Sequence, residues 1–156
     1  MTDQGAIASA STATKAGRTS TMLGASKMPW VPFALEGTFF KPLHLDDDQG
    51  KATFMLKIPA GAAASSHKHL AAVEAYVVSG GFTYEGEGTV GPGDYVYEPG
   101  GIVHEPAAEG ADDLILFVVA QGPVQGMDAH GTPLGVIDND VIYDCALKGG
   151  VADHLR

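Results

Sequence analysis

Residues 61–81 read GAAASSHKHLAAVEAYVVSGG, and residues 93–104 read GDYVYEPGGIVH. In an extended strand, side chains alternate between two faces, so His67 and His69 point one way and Lys68 points the other. Two imidazoles on one face predict a metal site or a polar strand end at the surface. His104 follows a turn rich in Gly and Pro that could bring a third imidazole back to the first pair.

A metal site would explain why three histidines occur at these positions. Neutral imidazole is the most common metal-binding side chain. Three imidazoles on rigid strands hold a metal and leave coordination positions open, as a catalytic site requires. Glu74, a short loop after His69, is the candidate fourth group. Taken alone, His67-Lys68-His69 would also suit an exposed loop, and a bound metal could be structural rather than catalytic.

Composition restricts the class of protein. A chain of 156 residues suits one domain, and such a domain buries about 70% of the surface of its unfolded chain. The net charge of −10 argues against nucleic acid and anionic membranes as partners. No apolar run is long enough to cross a bilayer. The single cysteine, Cys145, excludes an intrachain disulfide and predicts a cytoplasmic location.

Frequent turn residues predict an all-β fold. The chain has 21 glycines and nine prolines together with 45% hydrophobic residues, a composition that suits short strands joined by tight turns. Candidate strands cover residues 53–58, 73–78, 82–84, 95–97 and 114–119. A hairpin is predicted over residues 122–138, and only the tail after Tyr143 could form a short helix. This spacing is typical of a β-sandwich or barrel.

The first 27 residues differ in composition from the rest of the chain. Residues 1–27 are rich in Ser, Thr, Ala and Gly and show no apolar periodicity, so we predict a flexible leader or arm. A transit peptide and an arm that crosses onto a partner subunit are the alternatives. The compact domain is predicted over residues 28–156.

The histidine segments resemble the motifs of the cupin superfamily. The first cupin motif places a Gly, a His-x-His pair, a Glu and a Gly in order, and it matches Gly61, His67, His69, Glu74 and Gly80 or Gly81. The second motif matches Gly93, Pro99, Gly101 and His104, while its final Asn is replaced by Ala108. The resemblance implies a jelly-roll β-barrel with His67, His69 and His104 as metal ligands.

Other segments are similar to a narrower set of cupins. Pro29-Trp30-Val31-Pro32, residues 37–45 and the turn at Gly80-Gly81-Phe82 resemble ChrR-type cupins, and the tail resembles small cupin dioxygenases that cleave 2,4′-dihydroxyacetophenone or acetylacetone. This resemblance implies a mononuclear non-haem iron(II) dioxygenase that uses O2 to break a carbon–carbon bond in a small dicarbonyl or hydroxyketone. Fe(II) is the favoured metal, and Zn, Ni and Mn are alternatives. A metal-binding regulatory cupin and a metal-dependent isomerase or hydrolase are the alternative functions.

The role of Glu74 is left open by the sequence. It could bind the metal, act in catalysis or orient a histidine from outside the ligand set. Tyr76 shares its strand face, so both would line one cavity if Glu74 faces the metal. Tyr76, Phe82, Tyr97 and Phe117 are predicted to lie in the core or the barrel lining. We also predict a homodimer, because edge-to-edge pairing of sheets hides exposed strand edges.

Overall fold

Strands dominate the computed structural model, which describes residues 11–15 and 18–156. Within these ranges the chain forms fourteen strands, one short 3-10 helix at Ala25–Lys27 and one α-helix. The first seven strands are β1 Ser11–Lys15, β2 Arg18–Met22, β3 Val31–Pro32, β4 Phe39–Asp46, β5 Lys51–Ile58, β6 His67–His69 and β7 Val73–Ser79. The others are β8 Phe82–Tyr84, β9 Gly88–Val90, β10 Tyr95–Glu98, β11 Val103–His104, β12 Leu114–Ala120, β13 Val124–Met127 and β14 Pro133–Ile137.

Two antiparallel sheets face each other and enclose the core. The larger sheet has the order β10-β7-β12-β5-β4-β3, and the smaller one has the order β11-β6-β13-β14. Side chains of both sheets line a common interior, with Phe54, Leu116 and Val118 on one side and His69 and Val124 on the other. The predicted all-β jelly roll is therefore confirmed, with two facing sheets rather than a closed barrel.

Alternation along the strands decides which side chains form the core. Every second residue of β5 is buried, and Phe54 and Ile58 are among them. On β7, Val73, Ala75 and Val77 are buried while the residues between them face outward. Period-two burial is what a sheet with one covered face requires. The larger sheet therefore has an inner face on the core and an outer face toward solvent.

The predicted strands agree with the observed ones to within a few residues at each end, and the predicted hairpin is formed by β13 and β14. The helix α1, Asn139–Lys148, begins earlier than the tail after Tyr143. Asp138 caps it by accepting a hydrogen bond from the Val141 N–H, which satisfies a free donor of the first turn.

No helix among the described residues is long and apolar enough to cross a membrane.

Part of the predicted leader over residues 1–27 can be compared with the structure. Residues 1–10 and 16–17 lie outside the described residues, while β1 and β2 pair as an antiparallel hairpin. The domain boundary near residue 28 stays a prediction.

Four aromatic residues were predicted to lie in the core or the barrel lining. Among them, Phe82 is buried. The prediction was wrong for Tyr76, Tyr97 and Phe117, because these residues occupy the outward positions of their strands.

Candidate metal centre

Two neighbouring strands of the smaller sheet bring the three histidines together. On β6, His67 and His69 are both buried and share the inner face. The neighbouring β11 pairs with β6 so that His104 lies opposite His67. The turn before β11 is fixed by two backbone hydrogen bonds, from the Gly101 N–H to the His69 carbonyl at 2.7 Å and from the His69 N–H to the Ile102 carbonyl at 2.9 Å.

The turn depends on glycine at position 101. Gly101 has a φ of +99°, a region that residues with a Cβ rarely adopt. This conformation lets the chain reverse direction after Pro99 and return His104 to β6. The Gly–Pro turn in the sequence therefore positions the third imidazole, as predicted.

The three imidazoles converge on one point. The Nε2 atom of His104 lies 2.9 Å from Nε2 of His69 and 2.9 Å from Nε2 of His67. Two nitrogens bound at right angles to one metal, each at about 2.1 Å, would be about 3 Å apart. The donor set therefore fits one divalent metal ion bound by three neutral nitrogens.

One histidine has a fixed tautomer. The Nδ1–H group of His67 donates to the Ser65 carbonyl oxygen at 2.8 Å, because a carbonyl can only accept. Its Nε2 atom therefore presents a lone pair to the other two rings. The Nδ1 atom of His69, by contrast, is buried without a hydrogen-bond partner.

An aromatic ring packs against the third histidine. The Tyr84 ring is stacked on the His104 ring, with 5.6 Å between the ring centres and an angle of 7° between the planes. This contact restricts the orientation of the His104 ring.

Burial keeps the three rings neutral. It lowers the pKa of His69 to about 4 and that of His104 to about 3, and neighbouring imidazoles add to both shifts. It also lowers the pKa of His67, against a smaller opposing effect of the Ser65 hydrogen bond. Neutral rings keep the lone pairs that a metal needs. The site is thus prepared for a cation without needing to lose protons at neutral pH.

Glu98 is the carboxyl group that accompanies the histidines. Its Oε2 atom lies 3.0 Å from His69 Nε2, and its Oε1 atom lies 3.5 Å from His104 Nδ1. Burial raises the pKa of Glu98 to about 7. The contact therefore joins a neutral ring to a partly protonated carboxyl and is not a full ion pair. Glu98 is the residue that could complete or support the ligand set.

The structure does not bring Glu74 to the histidines, so its predicted place at the metal is corrected. Glu74 is an outward residue of β7, between the buried Val73 and Ala75. Its Oε1 atom instead accepts a hydrogen bond of 2.6 Å from the Tyr95 hydroxyl on the outer face of the larger sheet. Tyr76 lies two residues after Glu74 and shares its strand face, as predicted. This face is the outer one, so neither side chain points toward the histidines.

Strand parity could have identified Glu98. On β10, Tyr95 and Tyr97 point outward, while Glu98 points inward opposite Val73 of β7. A glutamate on the inner face of a strand, immediately before the turn that leads to His104, is a signal that the sequence contains. The family motif drew attention to Glu74 instead. His44, His130 and His154 do not join the cluster.

Two cavities adjoin the site. The inner cavity, of about 60 Å³, is bordered by the three histidines and mostly apolar side chains such as Phe54, Leu56 and Leu116. A wider cleft of about 400 Å³ lies between the β8–β9 hairpin and β10. Glu98 and Val96 line both cavities. The histidines therefore adjoin a mostly apolar cavity, and the outer cleft lies next to Glu98.

Comparisons with known proteins agree with this architecture. A family model described as the ChrR cupin-like domain matches residues 18–125. An RmlC-like cupin protein from Ralstonia eutropha is 28% identical, with a TM-score of 0.75 over 86% of this chain and 89% of its own. Acetylacetone dioxygenase from Acinetobacter johnsonii is 20% identical, with a TM-score of 0.76 over 88% of this chain and 97% of its own.

A regulatory protein is also similar in structure. The complex of SigE with the anti-sigma ChrR from Rhodobacter sphaeroides matches with 24% identity and a TM-score of 0.52, over 61% of this chain and 49% of that one. Among curated proteins, no sequence matches.

Proposed function

The chain belongs to the family of ChrR cupin-like domains, and we propose that it is a mononuclear non-haem iron(II) dioxygenase. The proposed substrate is a small dicarbonyl or hydroxyketone, such as a dihydroxyacetophenone, in which a carbon–carbon bond is cleaved with O2. The observation that carries the proposal is the convergence of the Nε2 atoms of His67, His69 and His104 beside an apolar cavity. These three residues are the proposed ligands.

The donor set supports a metal that remains electrophilic. Three neutral imidazoles add no charge, so a divalent ion keeps both of its positive charges. Such an ion, when bound, acts as a Lewis acid that stabilises the enolate of a chelating substrate. Nitrogen ligands suit Fe(II), Zn, Ni and Mn to different degrees. We favour Fe(II) because the proposed reaction consumes O2. The acetylacetone dioxygenase that shares the fold suggests β-diketones as the first substrates to try.

Glu98 is the proposed acid–base group. Its Oε2 atom is buried and lies 3.0 Å from His69 Nε2, but the geometry of this contact is not that of a hydrogen bond, so the oxygen is free to accept one. Glu98 borders both the histidine cavity and the outer cleft. A β-diketone must lose the proton from the carbon between its two carbonyls before it can chelate as an enolate. In this proposal Glu98 Oε2 accepts that proton, and His67 keeps its orientation through the Ser65 carbonyl.

Apolar walls support an oxygen-dependent reaction. Phe54, Leu56 and Leu116 keep bulk water away from the histidines, which strengthens electrostatic interactions and protects reactive species from side reactions. The inner cavity of about 60 Å³ has room for about two water molecules at the volume that each occupies in the liquid. In this proposal, substrate enters from the outer cleft past Glu98, which lines both cavities. We also propose that the protein is a cytoplasmic homodimer. The single cysteine, Cys145, supports a cytoplasmic location because proteins of reducing compartments rarely depend on disulfides.

Oxygen uptake tests the proposal. The protein loaded with Fe(II) is given acetylacetone, other β-diketones and 2-hydroxyacetophenones in an oxygen electrode, with zinc-loaded protein as the metal control. We expect oxygen consumption with at least one substrate, cleavage products by mass spectrometry and no turnover under anaerobic conditions. The His104→Ala variant should be inactive, whereas Lys68→Ala should match the unaltered protein. Turnover without oxygen would indicate an isomerase or hydrolase.

A regulatory metal-binding domain is the second candidate. The family description and the similarity to the ChrR complex favour it. This candidate predicts that the protein binds zinc and does not consume oxygen with any substrate of the panel. Complete absence of oxygen uptake by protein shown to contain iron would therefore favour regulation over catalysis.

A further inference from the structure

The hydroxyl group of Tyr84 is buried and has no hydrogen-bond partner among the described residues. A buried donor without an acceptor destabilises a folded chain, so a native structure that keeps one needs a reason for it. Glu98 Oε2 is a second buried atom that is free to accept a hydrogen bond. Both side chains contact His104. The metal centre therefore carries polar groups that the protein alone does not satisfy.

Tyr84 forms part of the wall between the two cavities. Its ring is stacked on the His104 ring, and its centre lies 5.0 Å from the centre of the Phe82 ring. His104 and Phe82 line the inner cavity, whereas Tyr84 lines the outer cleft. Glu98 lies at the edge of the same imidazole, with its Oε1 atom 3.5 Å from His104 Nδ1. A hydrogen-bond donor and an acceptor thus flank one histidine next to the cleft.

The hairpin that carries Tyr84 is separate from the two facing sheets. Strands β8 and β9 form a two-stranded sheet of their own. The base of this hairpin is joined to Glu109, whose N–H group donates to the Gly81 carbonyl at 2.9 Å and whose Oε2 atom accepts from the Thr83 hydroxyl at 2.9 Å. A small shift of the hairpin can therefore bring the phenol to a ligand while the sheet that holds the histidines stays paired.

We propose that Tyr84 binds substrate, with its hydroxyl group donating a hydrogen bond to an oxygen atom of the dicarbonyl or hydroxyketone. This role rests on the proposed function, in which Glu98 takes the proton from the substrate carbon. The negative charge that remains lies on the enolate oxygens. A hydrogen bond to a charged oxygen is stronger than one to a neutral oxygen. Tyr84 therefore favours the enolate over the neutral substrate.

A purely structural role for Tyr84 predicts a different pattern. The contacts with His104 and Phe82 need only the ring, which phenylalanine also provides. The hydroxyl group has no acceptor in the free protein, so removing it should not destabilise the fold. In the proposed role, the same change weakens substrate binding. A loss of binding without a loss of stability is typical of a group kept for function.

Substrate binding and unfolding of Tyr84→Phe test this role. Titration calorimetry of the zinc-loaded protein with acetylacetone and 2-hydroxyacetophenone measures binding without turnover. We expect Tyr84→Phe to bind them about 10-fold more weakly. Imidazole has no oxygen to accept the bond, so its affinity should change by less than about twofold. The urea midpoint of the metal-free variant should equal or exceed that of the unaltered chain. Tyr76→Phe, at an exposed tyrosine of the outer face, should change none of these values.

A second variant separates the ring from the hydroxyl group. Tyr84→Leu also loses the stack on His104 and should weaken zinc binding by about 10-fold, whereas Tyr84→Phe should keep the zinc affinity of the unaltered chain. Equal substrate affinities of Tyr84→Phe and the unaltered chain would overturn the role of the hydroxyl group and leave the proposed function intact. A lower urea midpoint of Tyr84→Phe would also overturn it, because the hydroxyl group would then have a partner in the free protein. An unaltered chain that binds neither substrate would overturn this role and the proposed function together.

Discussion

Glu74 and Glu98 belong to adjacent strands of the same sheet but have opposite environments. Glu98 faces inward, opposite the buried Val73, and lies 3.0 Å from His69. Glu74 faces outward and binds the Tyr95 hydroxyl. Both are glutamates near the metal motifs in sequence, so residue type cannot separate them. The face of the strand decides which carboxyl group meets the imidazoles and which belongs to the surface.

The same division applies to the whole larger sheet. Its inner face combines apolar side chains with Glu98 and covers the histidine cavity. Its outer face combines exposed tyrosines with Glu74 and borders an open groove lined by Glu74, Tyr76 and Phe117, among others. The inner face thus suits a site shielded from water, whereas the aromatic side chains of the outer face are exposed.

The largest predicted effect compares two neighbours on β6. His67→Ala removes one of three converging nitrogens and should reduce affinity for Fe(II) or Zn by more than ~100-fold, because losing even a supporting residue costs 10–100-fold. Lys68→Ala changes the adjacent residue on the opposite face and should alter affinity by less than about twofold. Competition with a coloured chelator measures both. Equal losses in the two variants would contradict the inward ligand set.

A smaller effect should distinguish the two glutamates. Glu98→Gln keeps the shape of the side chain but removes its charge beside His69, so metal affinity or turnover should fall by about 10–100-fold. Glu74→Gln should leave both unchanged, since its carboxylate contacts Tyr95 instead. Titration calorimetry with Zn and oxygen uptake with Fe(II) provide the readouts. A stronger effect at Glu74 would restore it as the carboxyl group of the site.

The smallest effect concerns stability on the two faces of β7. Val77 is 0% exposed and Val78 is 49% exposed. Val77→Ala should lower the free energy of unfolding by about 2 kcal/mol, through lost burial and a residual cavity. Val78→Ala should change it by less than about 0.5 kcal/mol in dilute solution. Urea denaturation of both variants measures the difference, and similar values would mean that the outer face is as well packed as the inner one.

Much of the fold could be predicted from local sequence. The run Leu114–Ala120 is the most apolar segment, and β12 indeed lies between β5 and β7 inside the larger sheet. Turn residues fixed most of the strand ends because glycine and proline have specific backbone requirements. The helix start at Asn139 was missed, although Asp138 is a typical N-cap residue.

The site was predicted in part. The parity of His67 and His69 and the turn before His104 were sufficient to place three imidazoles together. The position of Glu74 could not be predicted in this way, because a loop of three residues, 70–72, joins β6 to β7 and transfers the chain to the other sheet. Parity within one strand does not continue through such a loop. The aromatic outer face was missed for a related reason, since aromatic residues were assigned to the core by type rather than by strand position.

Elemental analysis of the protein purified without added metal is the most direct test of the metal centre. The convergence of three neutral imidazoles predicts close to one divalent transition-metal ion per chain in the unaltered protein, and almost none in His67→Ala. Iron in that analysis would support the dioxygenase, and zinc would favour the regulatory domain. A protein that contains no metal and also fails to take up Fe(II) or Zn after reconstitution would contradict the assignment of His67, His69 and His104 as ligands.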